Sequence, residues 1–170
     1  GSEKTIISQE RMCDNKIFLF KMIQTKYSHI CEIRSTNSII EIPQLTQIKL
    51  LSKDGIKSNC NFMLRFSHLK EDIPIFLIYK AFGIDNDYDI ISYIFTEEEI
   101  ENNIPFLIHS LEEASNYDTI LATKYITNTL TIKTKNFDET IFKNLLPHLG
   151  KSKIKRLFFM GYMIKQLIYS

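Results

Sequence analysis

The segment from Lys153 to Ile168 constrains the fold more than any other. Ile154, Leu157, Phe158, Gly161, Ile164 and Ile168 recur at helical spacing, while Phe159, Met160, Met163 and Leu167 fill much of the remaining circumference. A helix apolar nearly all round is buried on several sides, so the rest of the chain has to wrap it. Gly161 costs about 1 kcal/mol in a helix interior, and close approach of another backbone is the expected return. With 170 residues, the chain can bury roughly 70% of its unfolded surface without a staple. One domain spanning residues 1–170 is expected.

The N-terminal third reads as sheet. Lys16–Lys21 and Ser28–Arg34 carry the aromatic and β-branched content of strands, with a hairpin connection expected through Gln24–Tyr27. Gln47–Leu50 and Asn61–Phe66 alternate polar with apolar residues, as half-exposed strands do, and Lys53-Asp54-Gly55 reads as the turn between them. Beyond this the pattern is helical. Asp72 before Ile73-Pro74 reads as a cap followed by proline in a first turn, and Gly83 stands where that helix should stop. Further helices are expected at Tyr88–Phe95, Pro105–Asn116, Thr119–Asn128 and Asp138–Leu146, with a short strand as the alternative between Thr129 and Lys135. The fold class expected is α+β, a small and mostly antiparallel sheet packed with a helical C-terminal two-thirds.

Several function classes find no support in the residues. No run of 18 apolar residues exists, so no membrane span is expected, and no signal-peptide pattern opens the chain. Cys13, Cys31 and Cys60 form no framework, which fits a reducing, intracellular setting. His29-x-Cys31 has no second ligand pair at zinc spacing and reads as ordinary strand side chains. Asp85-x-Asp87-x-Asp89 opens like a calcium loop, but Ile90 stands at the glycine position and Thr96 at the closing glutamate. These aspartates read instead as caps of the next helix. There is no phosphate-cradling glycine loop, no G-x-S-x-G and no H-E-x-x-H. No catalytic residue and no metal ligand is assigned.

Charge is partitioned. From Ala81 to Thr123 there is no Lys or Arg but ten acids, leaving all 21 basic residues elsewhere with the other ten acids. Such asymmetry can orient a domain in the field of a charged partner, and it also suits solvated acidic helix faces. The densest basic segment is Lys151-Ser152-Lys153-Ile154-Lys155-Arg156. Lys151, Lys153, Lys155 and Arg156 are the candidate nucleic-acid contacts, able to neutralise phosphates without reading sequence. The same segment also suits a lysine-rich loop. Its cations lie at a helix N-terminus, where the macrodipole disfavours them, so another reason for their presence is expected.

Three stretches, in order, carry a family resemblance. Gly1-Ser2-Glu3-Lys4, Ile7 and Gln9-Glu10-Arg11-Met12 fall on the pattern N-G-S-E-K-V-x-I-A-Q-E-R-M. Lys70-Glu71-Asp72-Ile73-Pro74-Ile75 with Lys80-Ala81-Phe82-Gly83 resembles K-x-D-I-P-[IV] with R-A-L-G downstream. Leu146-Pro147-His148 and Phe158-Phe159-Met160-Gly161-Tyr162-Met163-Ile164 resemble L-P-H and F-F-L-G-Y-M-[IV]. Together they resemble the lobe domain of the second-largest subunit of multisubunit DNA-directed RNA polymerases. Residues from Ile84 to Phe142 match poorly.

The resemblance implies a lobe module forming a wall of the downstream-DNA cleft and docking a zinc-ribbon subunit or initiation factors. Its partners would be other polymerase subunits and, weakly, downstream duplex DNA. It implies no cofactor in this segment, since the Mg²⁺ of the whole polymerase lies elsewhere, and a structural His148 at the start of the last helix. Ile is the commonest residue, at 28, and Lys outnumbers Arg by 17 to 4, the codon signature of an AT-rich genome. A large DNA virus fits that signature, which would place the protein in virion and host cytoplasm; a cellular source would place it in the nucleus. The alternatives are a free-standing protein-interaction module and a small metal-dependent enzyme using the acidic block.

Overall fold

The computed structural model describes residues 3–6, 15–23, 27–37, 42–52 and 60–170. Its N-terminal part is an antiparallel meander of six strands, each paired with the next: β1 (Glu3–Ile6), β2 (Ile17–Ile23), β3 (Tyr27–Ser35), β4 (Gln44–Ser52), β5 (Cys60–Arg65) and β6 (Ile73–Pro74). The period-two pattern decides which side faces in. Thr46, Ile48 and Leu50 of β4 are buried while Leu45, Gln47, Lys49 and Leu51 are not, and Cys60, Phe62 and Leu64 of β5 are buried while Asn61, Met63 and Arg65 are half-buried. Register then aligns Cys31, Ile48, Leu64 and Ile73 in one row across four strands. β3 departs from alternation, because Ile30, Cys31, Glu32 and Ile33 are all buried. The hairpin expected at Gln24–Tyr27 and the turn at Lys53–Gly55 lie largely or wholly outside the described residues.

Seven helices follow: α1 (Phe76–Ala81), α2 (Asp87–Ser92), α3 (Glu97–Asn103), α4 (Ile108–Ala114), α5 (Thr119–Thr129), α6 (Phe137–Asn144) and α7 (Lys153–Tyr169), with 3₁₀ turns at Ile104–Phe106 and Pro147–Leu149. The architecture is α+β, as the patterning indicates. α7 packs against β2, β3 and β4, and α4 against β5 and β6. One apolar cluster runs from Cys31 and Ile48 in the sheet through Phe76, Ile90 and Leu107 to Met160, Ile164 and Leu167.

Gly161 has the neighbour its position calls for. A β-carbon built there would overlap the Tyr93 carbonyl oxygen and lie 3.2 Å from the Ile94 Cα. The end of α2 therefore crosses α7 backbone to backbone. Next to that crossing, the buried Tyr79 hydroxyl donates to the Leu157 carbonyl at 2.6 Å. Gly83 ends α1 at φ +97°, with its N–H on the Lys80 carbonyl and the Ile84 N–H on the Tyr79 carbonyl, the paired bonds of a Schellman cap.

Three local expectations are corrected. Ile73-Pro74 does not open a helix: it closes the sheet as β6, opposite Leu64 and Met63. A residue before proline is driven to extended backbone, and a two-residue edge strand tolerates the missing N–H. Asp72 accordingly caps nothing and accepts from Lys49 Nζ at 3.0 Å and Arg65 at 3.5 Å. The aspartates before α2 are not its cap either. Asn86 is, accepting from the Asp89 N–H at 2.8 Å, while Asp87 and Asp89 occupy the first turn, where the dipole favours them. Finally, the stretch after Thr129 forms only a single bridge, Leu69 to Leu130.

Candidate functional site

The basic segment sits where the chain reverses between α6 and α7. Gly150, at φ +66°, makes the turn, and Ser152 caps α7 by accepting from the Lys155 N–H at 3.1 Å. This reversal sets the first turn of α7 against the C-terminal end of α6. Arg156 is consequently 0% exposed. Its Nε donates to the Leu145 carbonyl at 2.8 Å. The two terminal nitrogens reach the carbonyls of Ser152 at 2.9 Å, Phe142 at 3.1 Å and Leu146 at 3.2 Å. The guanidinium carbon lies 4.7 Å from the Phe142 ring centroid.

Helix C-termini leave carbonyls without amide partners and carry the negative end of the dipole, so Arg156 acts as the C-terminal cap of α6. Burial lowers its pKa to about 10, which keeps it a cation at neutral pH. Arg156 is therefore corrected from a nucleic-acid contact to a structural cation. It also answers the misplaced charge at the start of α7: the cation serves the other helix. The signal was present in the sequence, because Arg156, Met160, Met163 and Leu167 share one helical stripe, and all four are buried.

The three lysines differ from it. Lys151 and Lys155 are exposed, and neither has an ion pair among the described residues. Lys153 is partly covered, paired with Asp138 at 3.1 Å and 5.8 Å from the Phe82 ring centroid. Lys151 and Lys153 border a groove of about 610 Å³ lined by Phe82, Ile84, Tyr93, Phe142, Ile154 and Leu157. Ammonium groups beside an aromatic floor suit charge recognition by contact.

Other sequence-selected groups have structural partners. His148 donates its backbone N–H to Ser35 Oγ at 3.0 Å, and the same hydroxyl meets His148 Nδ1 at 2.5 Å. The hydroxyl and Nδ1 thus share one hydrogen bond, whose direction is set by the ring tautomer. Burial, then the nearby Arg156 charge, lowers the His148 pKa. Cys31 is fully buried, and that burial, with Glu32 next to it, raises its thiol pKa. Among the described residues no group of three or more His, Cys, Asp or Glu is placed to hold a metal ion.

The acidic block supplies two different roles. Asp85, Asp87, Asp89, Glu97, Glu98, Glu101, Glu112, Glu113 and Asp118 are exposed. Glu99 is engaged: it accepts from the Thr96 N–H and hydroxyl, both at 3.0 Å, from Lys165 at 2.6 Å and from the Tyr169 hydroxyl at 3.1 Å. These bonds tie the start of α3 to the end of α7. Sequence reasoning missed α3, although Thr96-x-x-Glu99 is a helix-start signature.

The chain was compared with known proteins. It matches the family model described as RNA polymerase Rpb2, domain 2, over residues 14–169. It is similar to DNA-directed RNA polymerase II subunit RPB2 of Encephalitozoon cuniculi (strain GB-M1), with 31% identity over 99% of this chain and 15% of that relative. DNA-directed RNA polymerase II subunit 2 of Arabidopsis thaliana is 28% identical over 99% of the chain and 16% of its own length. DNA-directed RNA polymerase subunit Rpo2 of Saccharolobus shibatae is 28% identical over 99% and 15%. The chain thus spans about 15% of the length of these relatives.

Proposed function

The chain belongs to the RNA polymerase Rpb2 domain 2 family, and from that premise we propose that residues 1–170 work as one lobe module in the second-largest subunit of a DNA-directed RNA polymerase. In this reading the module forms a wall of the downstream-DNA cleft, and other polymerase subunits are its partners. The observation that carries the proposal is the family match over residues 14–169, nearly the whole described fold. The polymerase reaction belongs to the assembled enzyme, and the module contributes position and charge.

Lys151, Lys153 and Lys155 would meet duplex phosphates. Their grouping at one turn supports a weak contact, dependent on salt and indifferent to sequence. The exposed carboxylates between Asp85 and Asp118 would face a basic partner such as a zinc-ribbon subunit or an initiation factor. The AT-rich residue usage supports a large DNA virus as source, with virion and host cytoplasm as the working compartment. Among the described residues no helix is long and apolar enough to cross a membrane.

Sequencing the gene on both sides of this segment tests the proposal. The expected result is one reading frame that continues into the remainder of an Rpb2-like subunit. A gene encoding these residues alone would replace the proposal with a free-standing interaction module.

A further inference from the structure

The outward face of α7 carries an apolar ridge that nothing in the described structure covers. Ile154, Phe158 and Tyr162 follow at four-residue spacing on one face, and they are 59%, 53% and 53% exposed. Phe158 leans on Tyr93, with ring centroids 4.8 Å apart in an edge-to-face arrangement. Tyr93 and Ile154 also line the groove beside the start of α7, so ridge and groove form one continuous surface. The backbone of Tyr93 is held at the Gly161 crossing.

Lysines outnumber carboxylates along the groove. Lys151 and Lys153 stand at the groove and Lys155 projects from the turn of α7 that carries Ile154 and Phe158. Asp138 is the one carboxylate lining the groove, and Lys153 already neutralises it at 3.1 Å. An occupant that covers the ridge as well as the lysines has to bring apolar side chains for the floor and anionic groups for Lys151 and Lys155. A nucleic acid duplex can meet the lysines but has no apolar anchors, so the ridge of Phe158 and Tyr162 stays open to a second, protein occupant. A second copy packed through the same surface would set lysines against lysines.

We propose that this surface docks a linear segment of a partner protein in which aromatic or aliphatic anchors alternate with Asp or Glu. The anchors fill the groove and lie along Ile154, Phe158 and Tyr162; the carboxylates pair with Lys151 and Lys155. Recognition of this kind combines a buried aromatic cluster with a charged rim.

Fluorescence anisotropy tests this with a fluorescein-labelled peptide carrying two Phe-Leu pairs among Asp and Glu residues. The controls are the same peptide with Lys in place of each acid and with Ser in place of each Phe and Leu. The acidic peptide should bind saturably, and each control about tenfold or more weaker, a difference of about 1.4 kcal/mol or more. Phe158→Ser and Tyr162→Ser should each weaken the acidic peptide several-fold while leaving duplex DNA binding unchanged, which separates this docking from phosphate contact. Tyr162→Ser is the variant of choice if Phe158→Ser lowers the melting temperature. Equal binding of all three peptides, no effect of Tyr162→Ser, or a dimer in analytical ultracentrifugation that Tyr162→Ser dissolves would overturn the proposal.

Discussion

Gly161 on α7 and the Tyr93 carbonyl at the end of α2 are in backbone contact, closer than any side chain could permit. The crossing couples the helix that organises the core to the segment that frames the groove. Glycine here is a packing requirement, since φ at Gly161 is not positive.

Gly161→Ala should therefore destabilise the fold. In an open helix this change gains up to about 1 kcal/mol from propensity. Against a fixed backbone, the added methyl has to push α2 and α7 apart, and overpacking of this kind costs typically about 1–3 kcal/mol. Urea unfolding monitored by circular dichroism should show a net loss. A gain in stability would mean the two backbones are not in contact.

Arg156→Ala should be among the most damaging substitutions in the chain. It removes a buried cation and strands the carbonyls of Phe142, Leu145 and Leu146 at the end of α6. Each buried carbonyl left without a donor costs about 1–3 kcal/mol, so the total loss should be several times that of an ordinary surface substitution. Arg156→Lys should recover only part of this, because one ammonium cannot span four carbonyls in the plane of a guanidinium. Equilibrium unfolding of both variants checks the order, and an exposed, dispensable Arg156 would instead leave stability within about 0.5 kcal/mol.

Glu99 makes the link between α3 and α7 sensitive to acid. The Lys165 hydrogen bond first, then those from Thr96 and Tyr169, hold its pKa at about 2 against an ordinary 4.5. A depressed carboxylate pKa contributes stability that is complete above the unfolded value and is lost as pH falls towards the folded one. The Glu99 contribution should thus be full above pH 4.5 and fade towards pH 2. Melting temperatures of wild type and Glu99→Gln should differ at neutral pH and converge across that window. Curves separated by a constant gap down to pH 2 would show that Glu99 is not the titrating group.

The sheet could be read from sequence because its signal is local: Gln47–Leu50 and Asn61–Leu64 alternate, and each buried side follows from the pleat. α7 and the role of Gly161 were legible for the same reason, since an all-round apolar helix demands neighbours. Ile73-Pro74 was ambiguous, because proline suits both a first helical turn and an edge strand, and only pairing with Leu64 decides. Arg156 was misread when charge was counted by neighbourhood along the chain. What holds it is a set of carbonyls brought in by the reversal at Gly150, a tertiary arrangement that charge density cannot register. The family resemblance was legible in the D-I-P block and the F-F-M-G-Y-M helix, while the groove beside the start of α7 depends on packing.

The measurement closest to the central claim is the salt dependence of duplex DNA binding by the wild-type chain, by Lys151→Ala/Lys153→Ala/Lys155→Ala and by Arg156→Lys. Each phosphate contact contributes about 0.9 to the slope of log affinity against log salt. The account predicts weak wild-type binding, a slope shallower by about 2.7 in the triple variant, and a slope unchanged in Arg156→Lys provided that variant remains folded. A triple variant that binds like wild type would contradict the assignment of this face to downstream DNA.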